Sequence, residues 1–196
     1  MSVDTRSVLD LVLAASAGTA IAAACGLRAF LPLLALGLGV RTGFVQLAPS
    51  GEWIASTPVL ITLAWATAVE LAADKVPALD HALDAVSTFI RPVAAAAAAW
   101  CTFAGLPPVL AIAAALVLGG GAFGVHVAKA KLRIGTSFLT FGTLNGFVSV
   151  AEDLFAMSLA AMAVLAPIAA FCAVVLFVVL LLRIARRATS GPSPRG

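Results

Sequence analysis

Four acidic residues lie in stretches of sequence that are otherwise apolar: Glu70 and Asp74 in one stretch, and Glu152 and Asp153 in another. An ionised side chain at the centre of a membrane helix costs about 2.5–3.5 kcal/mol on insertion scales, so such residues are rare without a reason. A carboxyl group removed from water favours its neutral form, which suits a proton relay or a cation site, whereas a neighbouring guanidinium keeps it charged. The four acids are therefore the first candidates for chemistry.

Basic and neutral polar residues occur in similar surroundings. Arg28 separates two apolar runs, and His126 precedes Lys129 by three residues, so these two share one face of a helix. Asn145 and Ser149 place hydrogen-bonding groups before the second acidic pair. We predict that these residues and the acids form one polar site that binds a small polar or ionic solute. The alternative, also open, is that the buried groups only hold helices together.

The sequence lacks the motifs of common enzymes and metal sites. It contains no GxSxG, HExxH, Walker or Rossmann pattern. Its three cysteines, Cys25, Cys101 and Cys172, lie in apolar runs without CxxC or Cys/His spacing. Asp80, His81 and Asp84 offer oxygen and imidazole groups about one helical turn apart, which can bind a divalent metal. On an amphipathic surface helix, however, these are the residues expected to face water. We expect neither an enzyme nor a bound metal or cofactor.

The composition of the chain indicates that its surface faces lipid rather than water. Apolar residues make up 62% of the chain and charged residues 11%, against about 25% charged in soluble domains. Mean hydropathy is +1.11. A chain with so few charges has no polar coat, so its apolar surface must lie in lipid. The net charge of +3 is too small and too scattered for nucleic-acid binding.

A bilayer core about 30 Å thick requires roughly 20 helical residues, and this length predicts an all-α integral membrane protein with about six transmembrane helices in one domain, residues 1–196. The predicted spans are residues 8–27, 57–73, 91–103, 108–130, 136–159 and 164–184. The third span is short unless residues 86–90 extend it. Residues 188–196 are predicted to be a disordered basic tail.

Two segments between these spans need another interpretation. Residues 29–40 are apolar but too short to span, and they contain Pro32, Gly37 and Gly39. Half-length backbone at membrane depth must be covered by protein or line a water-filled cavity, so this segment is either broken or re-entrant, or else interfacial. Residues 77–90 place apolar and acidic residues on opposite faces, which predicts an amphipathic helix on the membrane surface.

Basic residues favour the cytoplasmic side of membrane proteins. Four of them place the C-terminus there: Arg183, Arg186, Arg187 and Arg195. Six crossings then put the N-terminus in the cytoplasm as well, and Glu52 and Trp53 on the outer side.

The two halves of the chain, residues 8–104 and 108–185, show a loose similarity. Each contains a glycine-broken apolar stretch, residues 31–40 or 135–146, followed by a helix that carries acids. An offset of three helices makes the halves run in opposite directions. This predicts an inverted repeat, which is common in secondary transporters.

Three segments resemble the bacterial membrane family named domain of unknown function 4126. They are Gly-Leu-Arg-Ala-Phe-Leu-Pro at residues 26–32, Glu-Leu-Ala-Ala-Asp-Lys-Val-Pro at residues 70–77 followed by Asp80, and Ser-Val-Ala-Glu-Asp at residues 149–153. The resemblance covers roughly residues 10–185. It implies a bacterial inner-membrane location and that the acidic stretches belong to the family pattern. It implies no activity, substrate or cofactor.

We therefore expect a multi-pass inner-membrane protein that moves a small polar or ionic solute, or a lipid head group, across the bilayer. The lipid bilayer is its expected partner, and homo-oligomers are compatible with the sequence. The alternative is a non-transporting scaffold or assembly protein whose buried charges set only the pairing of helices.

Overall fold

A computed structural model describes the backbone of residues 5–73, 77–140 and 145–189, with side chains for residues 8–73, 86–127, 150–180 and 183. This part of the chain is all helical, as predicted. It contains α1 (Thr5–Cys25), α2 (Phe30–Arg41), a 3-10 helix (Pro49–Ala55), α3 (Thr57–Ala73), α4 (Pro77–Phe103), α5 (Pro108–Thr140), α6 (Asn145–Leu165) and α7 (Pro167–Thr189). The predicted tail, 188–196, lies outside these residues except at its start.

Proline determines where several helices begin. Pro77, Pro108 and Pro167 are the first residues of α4, α5 and α7. The N–H of a first helical residue has no partner inside the helix, so a residue without an N–H is tolerated there. Pro92 lies inside α4 instead, where it removes one hydrogen bond of the helix.

Several helices are apolar enough for lipid. Val8–Cys25, Val86–Phe103 and Pro108–Val127 are each long and apolar enough to cross a membrane. The 3-10 helix and α3 form a fourth such element if the pair, which is bent by 53°, is a single span. Helix α2 and Pro167–Leu180 are apolar but shorter. These helices indicate a membrane protein.

Two predicted boundaries differ from the structure. Residues 77–90, predicted as a separate surface helix, continue without interruption into the predicted span 91–103 as the single helix α4. Helix α5 extends to Thr140, through the predicted start of the next span at 136, and α6 begins at Asn145. Both junctions contain residues of low helix propensity, Pro92 in α4 and Gly135 in α5, so local propensity does not account for the continuity of these helices.

Contacts along α1 show the direction of α7. Leu13, in the first half of α1, lines the same groove as Pro167, where α7 begins. Leu27, just after α1, shares a cavity with Val178, further along α7. The two helices are therefore parallel, and the start of α1 and the end of α7 lie at opposite ends of the bundle. The prediction of both termini in the cytoplasm was based on six crossings and did not count α2 as one of them.

The predicted inverted repeat is not supported. A side chain at Gly18 would collide with Thr102, near the end of α4, whereas Arg91, earlier in α4, reaches the carbonyl of Gly26 at the end of α1. Helices α1 and α4 are thus antiparallel. Helix α5 packs back against α4, with His126 on Arg91, so α5 is parallel to α1. Inverted halves would make α1 and α5, the predicted counterparts, antiparallel.

Small side chains let the central helices approach closely. The fully buried alanines of α1 and α4 include Ala20, Ala22, Ala24, Ala95 and Ala98. In membranes, where lipid is as apolar as the core, such small residues favour helix association through close packing. Helix α1 therefore lies at the centre of the bundle, in contact with α2, α4, α5, α6 and α7.

Candidate functional site

Helix α1 and helix α2 are separated by a four-residue break, Gly26–Ala29. The amides of Leu27 and Arg28 each bond the Ala24 carbonyl at 3.0 Å, which closes the end of α1. Pro32 has no N–H to donate to the carbonyl of Arg28, so one continuous helix through the break is disfavoured. The break is thus encoded locally by glycine and proline.

A carboxylate from α3 caps the helix that follows the break. Glu70 accepts the Ala29 N–H at Oε1, at 2.9 Å, and the Phe30 N–H at Oε2, at 3.2 Å. Ala29 occupies the N-cap position of α2 and has no side-chain oxygen of its own. The first amides of a helix lack internal partners, and this end of the helix carries partial positive charge. Glu70, only 6% exposed, satisfies both needs.

A second acid holds the same break against α6. The guanidinium of Arg28 forms an ion pair with the carboxylate of Asp153. Arg28 is completely buried, and the side chain of Asp153 is 23% exposed. Two neighbouring residues of the break, Arg28 and Ala29, are therefore tied to two different helices by two carboxylates.

A third contact comes from α4. Nη1 of Arg91 is 3.5 Å from the carbonyl oxygen of Gly26, at the start of the break. The same nitrogen contacts Nδ1 of His126 on α5, and Nε2 of that ring is 3.2 Å from Oγ1 of Thr88. Since Arg91 only donates, Nδ1 accepts, and the neutral ring has its proton on Nε2, facing Thr88.

We call Arg28, Glu70, Arg91, His126 and Asp153 the polar layer. Its members come from the break and from α3, α4, α5 and α6 in turn. Two guanidiniums face two carboxylates and one imidazole, so charge is nearly balanced within the layer. Each charged side chain of the layer has an ion-pair or hydrogen-bonding partner within the layer or on the break.

The polar layer lies toward one end of the apolar bundle. Val8, where the first candidate span begins, precedes Arg28 by 20 residues, which is about 30 Å at about 1.5 Å per residue and equals the thickness of a bilayer core. Helices α4 and α5 continue past the layer, away from the end where α1 starts. We call these the polar-layer end and the opposite end.

The structure brings together four residues of the predicted site: Arg28, Glu70, His126 and Asp153. Glu152 is half-buried beside Asp153. The side chains of the other four predicted residues, Asp74, Lys129, Asn145 and Ser149, lie outside the described part of the chain.

Sequence reasoning missed Arg91 and Thr88. Neither residue was among the predicted site residues, and His126 was grouped with Lys129 because of their helical spacing. A signal was available, since Arg91 is a charged residue inside the apolar span Val86–Phe103. A charged side chain inside an apolar span needs a polar partner, so Arg91 is a candidate for the site by the same argument as the acids.

Two cavities bounded by described side chains bear on access to the layer. One, of about 20 Å³, is apolar and lies beside Leu27 and Phe155. A cavity of this size holds about one water molecule, and only where polar partners are present. The other is a groove of about 490 Å³ at the opposite end. Neither is lined by a member of the polar layer, and the described residues contain no cluster of metal-ligating side chains.

Comparison with known proteins identifies a family. A family model described as "Domain of unknown function (DUF4126)" matches residues 15–187, which include the whole polar layer. No curated protein and no solved structure matches the chain. The resemblance seen in the three sequence segments is confirmed.

Proposed function

The chain belongs to the DUF4126 family, and we propose that it is a transporter that moves a small polar or ionic solute, or a lipid head group, across the bacterial inner membrane. One observation carries the proposal. The helical path is broken inside an apolar bundle, and charged side chains from three neighbouring helices, α3, α4 and α6, contact that break. In many secondary transporters, interrupted helices direct their ends at the substrate in this way.

Stability alone is a poor explanation of the polar layer. Replacing a buried ion pair by apolar residues of similar volume is often neutral or stabilising, so such a pair is weak evidence of structural need. A transporter, in contrast, requires charges that can exchange partners. In the proposed mechanism, Glu70 and Asp153 occupy the amides of α2 and the guanidinium of Arg28 while no solute is bound.

The remaining predicted site residues have flanking roles in this proposal. Glu152 and Asp74 extend the acidic side of the site, and Lys129 adds positive charge. Asn145 and Ser149 provide neutral hydrogen-bonding groups along the path. The proposal includes no enzymatic step, cofactor or metal ion.

A scaffold protein is the second candidate function, and a specific observation favours it. Both oxygens of Glu70 accept backbone amides, and Asp153 is paired with Arg28. None of the three cavities with described linings reaches these groups. In a scaffold, the layer would remain dry and would only fix the positions of α2, α3 and α6.

Two native cysteines separate the candidates. Cys25 lies directly before the break and Cys101 lies in α4, and both side chains are completely buried. If the layer opens to water during transport, a small impermeant methanethiosulfonate reagent should modify Cys25 in membrane vesicles, in a variant without the other two cysteines. Cys101 alone, tested in the same way, is the matched control because it is equally buried away from the layer. Equal protection of both thiols would refute the transporter and favour the scaffold.

We also propose an orientation for the bundle. Lys129, Lys131 and Arg133 follow His126 in α5, and Arg183 lies in the last turns of α7, so basic residues concentrate at the polar-layer end. The opposite end carries Asp10, Glu52 and Arg41. By the positive-inside rule, the polar-layer end and the C-terminus are cytoplasmic. Glu52 remains on the outer side, as the sequence predicted, but the N-terminus joins it there.

Cysteine labelling in intact cells tests this orientation. In a cysteine-free background, an impermeant maleimide should label Ser2→Cys and Glu52→Cys, whereas Ser190→Cys should react only after lysis. Labelling of Glu52→Cys without Ser2→Cys would instead support the six-crossing topology with both termini inside.

A further inference from the structure

A groove of about 490 Å³ opens at the opposite end of the bundle, far from the polar layer. It lies between the first half of α1, the loop that follows α2 and the junction of α6 with α7. Its volume is in the range of small-molecule sites, about 300–1,000 Å³. The groove is therefore large enough for a ligand or for part of a lipid.

The mouth of the groove favours positive charge. Asp10 and Gln46 line it, both side chains are exposed, and Asp10 forms no ion pair with another described residue. Among the described residues that line the groove, Asp10 is the only charged one, so its carboxylate sets the charge of the mouth.

The inner part of the groove is apolar. Leu13, Ala14 and Ala17 line its α1 side. Asp10 and Ala17 are seven residues apart, about 10 Å along a helix at about 1.5 Å per residue. Since the candidate span of α1 begins at Val8, the groove passes from the membrane boundary into the apolar layer. A bound molecule would have its polar group at Asp10 and an apolar part below it.

We propose that this groove binds a membrane lipid whose head group carries an ammonium, with the ammonium on Asp10 and the start of an acyl chain along Ala14 and Ala17. The carboxylate and the apolar floor together match this molecule. An anionic lipid without an ammonium has no cationic group to pair with the carboxylate. The proposal is independent of the transport function, because a scaffold could bind the lipid equally well.

Native mass spectrometry of the full-length protein tests the proposal. The protein is released from bilayers that contain equal amounts of phosphatidylethanolamine and phosphatidylglycerol with identical acyl chains. The wild type should retain the ethanolamine lipid severalfold more than the glycerol lipid. Asp10→Asn should abolish this preference, and because the side chain is exposed its melting temperature should stay close to that of the wild type.

Glu52→Gln is the matched control, since Glu52 is an exposed acid at the same end of the bundle that does not line the groove. It should keep the lipid preference of the wild type. Competition with free ethanolamine separates the two sources of an ammonium group. No displacement by ethanolamine supports a lipid, and full displacement at equal concentration overturns the lipid assignment. Equal retention of both lipids by the wild type, or an unchanged preference in Asp10→Asn, would also overturn the proposal.

Discussion

Replacing Glu70 by alanine is expected to lower the free energy of unfolding by about 2–4 kcal/mol, because two buried amides lose a charged acceptor. Hydrogen bonds to charged groups are worth about 1.5–3 kcal/mol each, and an unsatisfied buried amide costs about 1–3 kcal/mol. The two contributions overlap, and an ordinary helix cap is worth about 0.5–2 kcal/mol. The expected loss in free energy of unfolding is therefore smaller than their sum. The measurement is the midpoint of unfolding in a titration with sodium dodecyl sulfate.

Thr67→Val is a suitable control for this variant. Thr67 lies on the same helix, is buried to a similar degree, and bonds only the Leu63 carbonyl of its own helix, at 2.7 Å. The substitution preserves volume and should change the midpoint little. Glu70→Gln should fall between the two, since an amide oxygen can accept one N–H but its NH₂ group faces the other. If Glu70→Ala and Thr67→Val unfold at the same midpoint, Glu70 does not stabilise the start of α2.

Hydrogen exchange gives a local measurement of the same effect. The amides of Ala29 and Phe30 are protected by Glu70. They should exchange faster in Glu70→Ala, while amides in the middle of α4 keep their protection, because opening is confined to the end of α2.

The helices themselves could be predicted well from local sequence. Residues 57–73 were predicted with the boundaries that α3 has, because this apolar run comes close to the length that crosses a bilayer core. The break before Pro32 was also visible in the sequence. The continuity of α4 was not, since the amphipathic pattern of residues 77–90 is compatible both with a surface helix and with the first turns of a longer one.

Partners within the polar layer could not be predicted in the same way. Glu70 binds backbone amides, and amides carry no side-chain signature in a sequence. Arg28 and Asp153 are distant in sequence, so only the packing of α6 against the break selects this pair. His126 meets Arg91 because α4 and α5 fold back on each other, a contact that outweighs the helical spacing of His126 and Lys129.

The predicted number of crossings depended on how one short apolar segment was interpreted. Residues 29–40 were too short to count as a span, so the prediction counted six crossings. The structure forms α2 there, and it leads from the polar layer back to the loop at the opposite end. Counting α2 gives an even offset between α1 and α5, which removes the odd offset on which the inverted repeat depended. In the orientation proposed above, it also places the N-terminus on the outer side.

The ion pair of Arg28 with Asp153 is expected to show strong coupling in a double-mutant cycle. Asp153→Asn leaves the completely buried guanidinium of Arg28 without this counter-charge. Removing one partner of a buried pair typically costs about 3–5 kcal/mol, and the partial exposure of Asp153 favours the lower end of this range. The double variant Arg28→Met/Asp153→Leu removes both charges and should recover most of the loss.

The double variant also distinguishes the two functions, because it separates folding from charge. In a scaffold, an apolar pair of similar volume supports the bundle, and reagent access to Cys25 stays as low as in the wild type. In a transporter, the wild type admits reagent to Cys25, and the folded double variant should not, since the ion pair that exchanges partners with the solute has been removed. A double variant that folds and still admits reagent at the wild-type rate would show that this ion pair is not part of the solute path, and the proposed site would then have to lie elsewhere in the bundle.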